Sequence, residues 1–161
     1  MRKSNINKMS VSETPTIVIE GHPVNTYFLE SELIHQLLEE IKAINPKEDF
    51  QKFYNVFNHL AMIEKRFERK ENQLFPFLEQ KGWTGPSRNM WSFHDTIREM
   101  FRIVRKNLEE QDFTSAKHNT NLITQNLYRL LDVEENVLFP NALDLLSEED
   151  WIKMRNGEVE I

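Results

Sequence analysis

Two stretches of this chain are near copies of each other. One reads Lys70-Glu71-Asn72-Gln73-Leu74-Phe75-Pro76-Phe77-Leu78, the other Glu134-Glu135-Asn136-Val137-Leu138-Phe139-Pro140-Asn141-Ala142-Leu143. The shared Glu-Asn-x-Leu-Phe-Pro recurs 64 positions on, with a leucine two or three residues later. Such agreement within 161 residues marks an internal duplication of one supersecondary unit. Each copy also has a histidine near the start of its first helical pattern, His22 and His94. The proline has a mechanical consequence: inside a helix it removes the hydrogen bond to the carbonyl four residues back and bends the rod. The carbonyls so freed are those of Asn72 and Asn136.

The patterns around the duplicate are helical. Only four glycines and six prolines interrupt the chain, while 39% of residues are hydrophobic. Few breakers at this length favour long helices. The first helix begins after Gly21-His22-Pro23, where proline suits the first turn, and ends at Asn45-Pro46, with Leu29, Leu33, Leu37, Ile41 and Ile44 as its apolar row. The second spans about 47–80 through Phe53, Phe57, Leu60, Phe67, Leu74 and Leu78. The third covers roughly 89–110 with Phe93, Ile97, Phe101, Val104 and Leu108 inward. The fourth starts near Asp112 or Thr114 and carries Leu122, Leu127, Leu131, Leu138 and Ala142. Ser147-Glu148-Glu149-Asp150 is a capping box opening a short terminal helix. The expected fold is all-α: an antiparallel up-down-up-down four-helix bundle over residues 21–161. Residues 1–20 are expected to be an irregular arm, with the β-type run Ile17-Val18-Ile19 lying across the bundle.

Charge and composition narrow the function. A net charge of −6 argues against nucleic acid or an anionic membrane as partner. With no cysteine, thiolate nucleophiles and Cys-based metal sites are excluded. Residues 1–12 lack the apolar core of a secretory signal, and no run reaches the ~18 apolar residues a membrane helix needs, so a cytoplasmic location is expected. No Ser/His/Asp or Gly-rich phosphate-binding arrangement appears, which leaves an enzyme of those classes without support.

The repeat puts carboxylates where apolar residues are expected. Glu71 lies between Phe67 and Leu74 on the inward stripe, and Glu135 has the same relation to Leu131 and Leu138. A carboxylate in a bundle core must be neutral, ion-paired or metal-bound. In an antiparallel bundle the starts of the first and third helices stand level with the late parts of the second and fourth. His22 and His94 are therefore expected beside Glu71 and Glu135, the natural place for a metal site. Arg66 and Arg98 are available cations for the ion-pair alternative. At about 1.5 Å per residue, His35 and His59 fall roughly 18–20 Å from that level, and neither they nor His118 is expected to serve a cofactor.

These residues carry a family resemblance. Gly21-His22-Pro23, the His94-Asp95-x-Ile97-Arg98 of the third helix and the two Glu-Asn-x-Leu-Phe-Pro segments resemble the hemerythrin-like, or HHE cation-binding, domain. They look most like the variant found with PAS sensor modules in bacteria, a likeness extending to Lys81-Gly82-Trp83-Thr84-Gly85-Pro86 and to the tail around Trp151. The resemblance implies a bundle holding a non-haem di-iron centre through histidines on the first and third helices and a His-x-x-x-Glu pair on the second and fourth. His22 and His94 match that pattern. The second-helix pair falls on Arg66 and Lys70, which cannot bind a cation, and the fourth-helix pair on Leu130 and Glu134. The nearest substitutes are Glu71 and Glu135. The candidate metal set is therefore His22, Glu71, His94, Glu135 and Glu134, with Glu30 a further possibility; such an oxygen-rich set suits iron or manganese.

The resemblance implies iron that binds or senses O2, NO or peroxide, or iron handling, rather than turnover of an organic substrate. Two alternatives stand beside it. One is a degenerate metal-free bundle, closed by Arg66–Glu pairs and kept as a regulatory or interaction module with a protein partner or a second copy. The other is a haem-binding bundle, without covalent haem attachment because cysteine is absent.

Overall fold

The computed structural model describes residues 21–157; the expected arm at 1–20, including Ile17-Val18-Ile19, lies outside them. Four rods pack side by side, and a short terminal helix crosses one end. His22 caps the first rod, α1 (Pro23–Lys42): its Nδ1 accepts the Val24 N–H at 3.1 Å. Asp49 caps the second rod, which runs through α2 (Phe50–Ala61), α3 (Ile63–Arg69), a π-helical turn (Lys70–Leu74) and α4 (Phe75–Gln80). Gly82 at φ +90° reverses the chain in the left-handed conformation that glycine adopts without strain. The third rod opens with a π turn at Pro86–Met90 and continues as α5 (Trp91–Glu109). Asp112 caps the fourth: α6 (Phe113–Val133), a π turn (Glu134–Leu138) and α7 (Phe139–Leu145). The capping box closes both ways between Ser147 and Asp150 at the start of α8 (Glu148–Arg155).

The prolines act as the duplicate implies, and the bend takes a specific form. Pro76 and Pro140 have no N–H for the carbonyls of Asn72 and Asn136. In each copy the turn widens, so that Phe75 N–H bonds the Lys70 carbonyl and Phe139 N–H bonds that of Glu134, five residues back. A wider turn changes which side chains face inward. On the second rod, the adjacent Lys70 and Glu71 are both buried.

Two apolar clusters fill the bundle. One is built on Leu38, Ile41, Phe53, Phe57, Ile123 and Leu127. The other, at the end capped by α8, is built on Val24, Tyr27, Leu78, Phe139, Trp151 and Met154. Between them in the order of every rod lies a layer of buried polar groups: Ser31, Arg66, Lys70, Glu71, His94 and Glu134.

The second-rod stripe is buried as expected, but the first rod is rotated from its expected row. Leu37, Ile41 and Ile44 are buried as expected, but Leu29 and Leu33 are 61% and 44% exposed, and Val24, Tyr27, Ser31, Ile34 and Leu38 complete the buried row. A count of leucines misses it because inward positions are held by Tyr27 and Ser31. Leu122 likewise points outward, and the third rod starts at Pro86, ahead of the expected 89.

Candidate functional site: a buried ion layer

Glu134 is the centre of the layer. Its side chain is fully buried and each oxygen meets a cation: Arg66 Nη2 donates to Oε1 at 2.6 Å, and Lys70 Nζ donates to Oε2. Arg66 is 2% exposed and its Nη1 and Nη2 also donate to the first rod, to the Tyr27 carbonyl (3.0 Å), Glu30 (3.1 Å) and Ser31 Oγ (3.0 Å). Its guanidinium also lies 4.9 Å from the Tyr27 ring centroid, where cation–π attraction adds to the pairing. Arg69 holds the outer oxygen of Glu30 at 2.5 Å. Burial alone would raise the Glu134 pKa, but Arg66 and Lys70 outweigh it and hold the carboxyl below its ordinary value. Burial pulls Lys70 down to about 8 although Glu134 opposes it.

A second group faces the third rod. His94 is fully buried, stacked on Phe67 with ring centroids 4.1 Å apart and planes 6° from parallel. Burial, then the charges of Lys70, Arg98 and Arg66, push its pKa down to about 2, so the ring is neutral. With Glu71 ionised, Nδ1 carries the proton and donates to Glu71 Oε2 at 2.7 Å. Burial raises the Glu71 pKa, and Arg98 pulls against it by donating at 2.9 Å to both of its oxygens. Arg98 also binds Glu64 (2.8 Å) and Asp95 (2.7 Å), which closes the layer from outside. Two nitrogens are left over: Arg66 Nε and His94 Nε2 are buried without a hydrogen-bond partner.

The expected site is therefore only partly assembled. Glu71 and His94 meet, and Glu134 joins the layer through Arg66 and Lys70. Glu135 does not; it is 39% exposed and lies 3.7 Å from His35. The expectation that His35 stands far from this level is thus corrected. The first-rod residues that Arg66 joins to Glu134 are Tyr27, Glu30 and Ser31, about 8–14 Å along the helix from His22. His22 stays at the end of the bundle as the cap of α1, its ring 4.7 Å from that of Trp151. The symmetric pairing of His22 with His94 fails because the third rod begins two turns before His94, whereas the first begins just after His22. Sequence reasoning also left Lys70 out of the core, although its place beside Glu71 in the pre-proline turn was the available signal.

Four rods with an inward-facing layer of charged side chains define a class of protein, the bundle that builds its sites from facing helices. The family model of the hemerythrin HHE cation-binding domain matches residues 23–143, and the chain belongs to that family. No curated protein matches the chain. The residues present do not fit the metal that the family implies. At the positions where the family supplies ligands, Arg66 and Lys70 bring positive charge, Leu130 brings an apolar side chain that is 1% exposed, and Glu134 already serves both cations. Among the described residues, no three His, Cys, Asp or Glu side chains converge in a metal-binding group. No described helix is long and apolar enough to cross a membrane.

Proposed function

We propose that this member of the hemerythrin family works without a metal, as a regulatory interaction module whose core charge is balanced within the chain. The observation that carries the reading is the convergence of Arg66 and Lys70 on the fully buried carboxylate of Glu134. A divalent cation at that point would have to displace two protein cations, leaving Lys70 buried without a counter-charge and Arg66 with Glu30 alone, which is strongly unfavourable. The protein's own side chains hold the two halves of the bundle in register at this layer, and the response to other molecules falls to its surface.

The second reading keeps an iron centre that binds O2, NO or peroxide, or handles iron, in keeping with the family. His94 favours it: its Nε2 is buried and unpartnered while a carboxylate fixes Nδ1, the posture of a metal-ligating histidine. The same nitrogen is the one that would bind a haem iron. Metal analysis and an optical spectrum of protein purified from iron-supplemented cells separate the readings. A folded, colourless chain with no iron is the expected result. Retained iron with oxo-to-iron absorption establishes the second reading, and a Soret band establishes haem.

A further inference from the structure

Two clefts on this bundle share only the duplicate positions Lys65/Arg129, Arg66/Leu130 and Arg69/Val133, and they differ in the charges at their rims. Between the first and second rods lies a cleft of about 360 Å³ with an apolar floor that includes Leu33, Ile34, Leu37 and Ile63, rimmed by the charged Glu30, Lys65, Arg66 and Arg69. Between the third and fourth rods lies a larger pocket of about 560 Å³, lined mainly by apolar side chains, among them Trp83, Met90, Phe93, Val133 and Val137. On the fourth rod, Val133 and Val137 stand where the duplicate places Arg69 and Gln73 on the second. Both valines are exposed, at 36% and 45%. Two apolar residues kept in water, where the sister copy has polar ones, imply an occupant.

The polar groups lining the pocket say what the occupant carries. Arg129 supplies a guanidinium that has no ionic partner among the described residues, Asn89 an amide and Trp83 an indole N–H. No carboxylate lines the pocket in a chain of 26 acidic residues. The pocket therefore presents hydrogen-bond donors and one positive charge at an apolar surface, and its volume falls within the ~300–1,000 Å³ usual for small-molecule sites. Two of its walls are π turns, Pro86–Met90 and Glu134–Leu138, which widen the rods where the pocket opens.

We infer that this pocket binds a small amphipathic monoanion, an aromatic or medium-chain carboxylate or sulfonate, with its body against Trp83, Phe93, Val133 and Val137 and its charge on Arg129. The inference rests on the regulatory-module reading and gives that module its ligand. The test is equilibrium titration of the full chain with anilinonaphthalene sulfonate, followed by displacement with octanoate, octanol and octylammonium. Saturable binding is expected, displaced by octanoate and not by octylammonium. Arg129→Ala should weaken octanoate by about tenfold, the loss of one charge-assisted contact, and leave octanol unchanged. Val133→Arg with Val137→Gln, the sister copy's chemistry, should remove binding of the dye, octanoate and octanol while the circular dichroism stays that of the wild type. Binding that both variants leave unaltered, or displacement by octylammonium equal to that by octanoate, overturns the inference. A wild-type dimer that the valine variant converts to a monomer also overturns it, because the pocket is then an interface between copies. Iron content recorded on the same samples separates the two proposals. Iron-loaded protein that still binds octanoate defeats the metal-free reading alone, and metal-free protein that binds no anion defeats the pocket alone.

Discussion

The two halves of this bundle are copies in sequence and opposites in charge at the layer where they meet. Lys70 on the second rod and Glu134 on the fourth occupy the same position of the duplicate, and they bond each other directly. Arg66 stands where the fourth rod has Leu130, and its guanidinium reaches over to the same Glu134. A duplication that brings equivalent residues face to face would oppose like with like if the copies were identical. Here divergence has put cations in one copy and a carboxylate in the other, so the layer neutralises itself. The next position shows the converse. Glu71 and Glu135 are the same residue, yet the first is buried on His94 and Arg98 and the second is half-exposed beside His35.

The largest expected effect comes from breaking that complementarity on one side. Glu134→Gln leaves the buried Lys70 without its counter-charge and Arg66 with Glu30 alone, and should cost about 3–5 kcal/mol, which at roughly 2–4 °C per kcal/mol is a fall in Tm of about 6–20 °C. Calorimetry of the variant measures it, and a fall of only a degree or two would mean the layer is hydrated and weakly coupled. Removing the charge from both halves together sharpens the point. Arg66→Met, Lys70→Leu and Glu134→Leu combined should be neutral or stabilising, since an apolar layer of similar volume avoids the desolvation of all three ions.

Restoring the family's ligand types on the second and fourth rods tests what the cations replaced. Arg66→His, Lys70→Glu and Leu130→His, with His94 and Glu134 retained, should give a chain that binds iron above the wild-type level in metal analysis. No gain of metal would place the cause of the misfit in the backbone rather than in these side chains.

The pH dependence follows from His94. Its pKa is about 2 in the folded chain against 6.5 as its ordinary value, so below pH 6.5 the unfolded state takes up a proton that the folded state refuses. Stability is full above that pH and falls as the pH drops, by at most about 1.4 kcal/mol per unit. Glu134, held below its ordinary 4.5, adds to the loss from that pH downward. Urea titrations between pH 7 and 5 should show this slope in the wild type and a flatter one in His94→Gln. The smallest effect belongs to Glu135→Gln. At an exposed position it should shift stability by less than about 0.5 kcal/mol, and a larger loss would show that the two copies differ less than their geometry indicates.

Much of this was legible from the residues in order. The duplicate, the start signals at Pro23, Asp112 and Ser147, and the phenylalanine row of the second rod prescribe the rods and most of their ends, because caps and helical periodicity act within a few residues. Pro76 and Pro140 also announce the disturbed turns, although not that these would be π-helical. The site was only half legible. His94 with Glu71 was expected and found; His22 and Glu135 were expected beside them and lie elsewhere. Their placement depends on where each rod starts, how far it is rotated, and which of two adjacent residues a widened turn carries inside. No count of spacing along one rod contains that information.

The sequence by itself determined a duplicated all-α bundle of the hemerythrin family and the presence of charged residues at its core positions, since pattern, capping and proline chemistry are local. Only the tertiary structure decided that Lys70 meets Glu134, that Arg66 closes the pair from the next turn, and that Glu135 stays outside. Ion pairing depends on distance and burial between rods, and those are set when the two copies pack against each other.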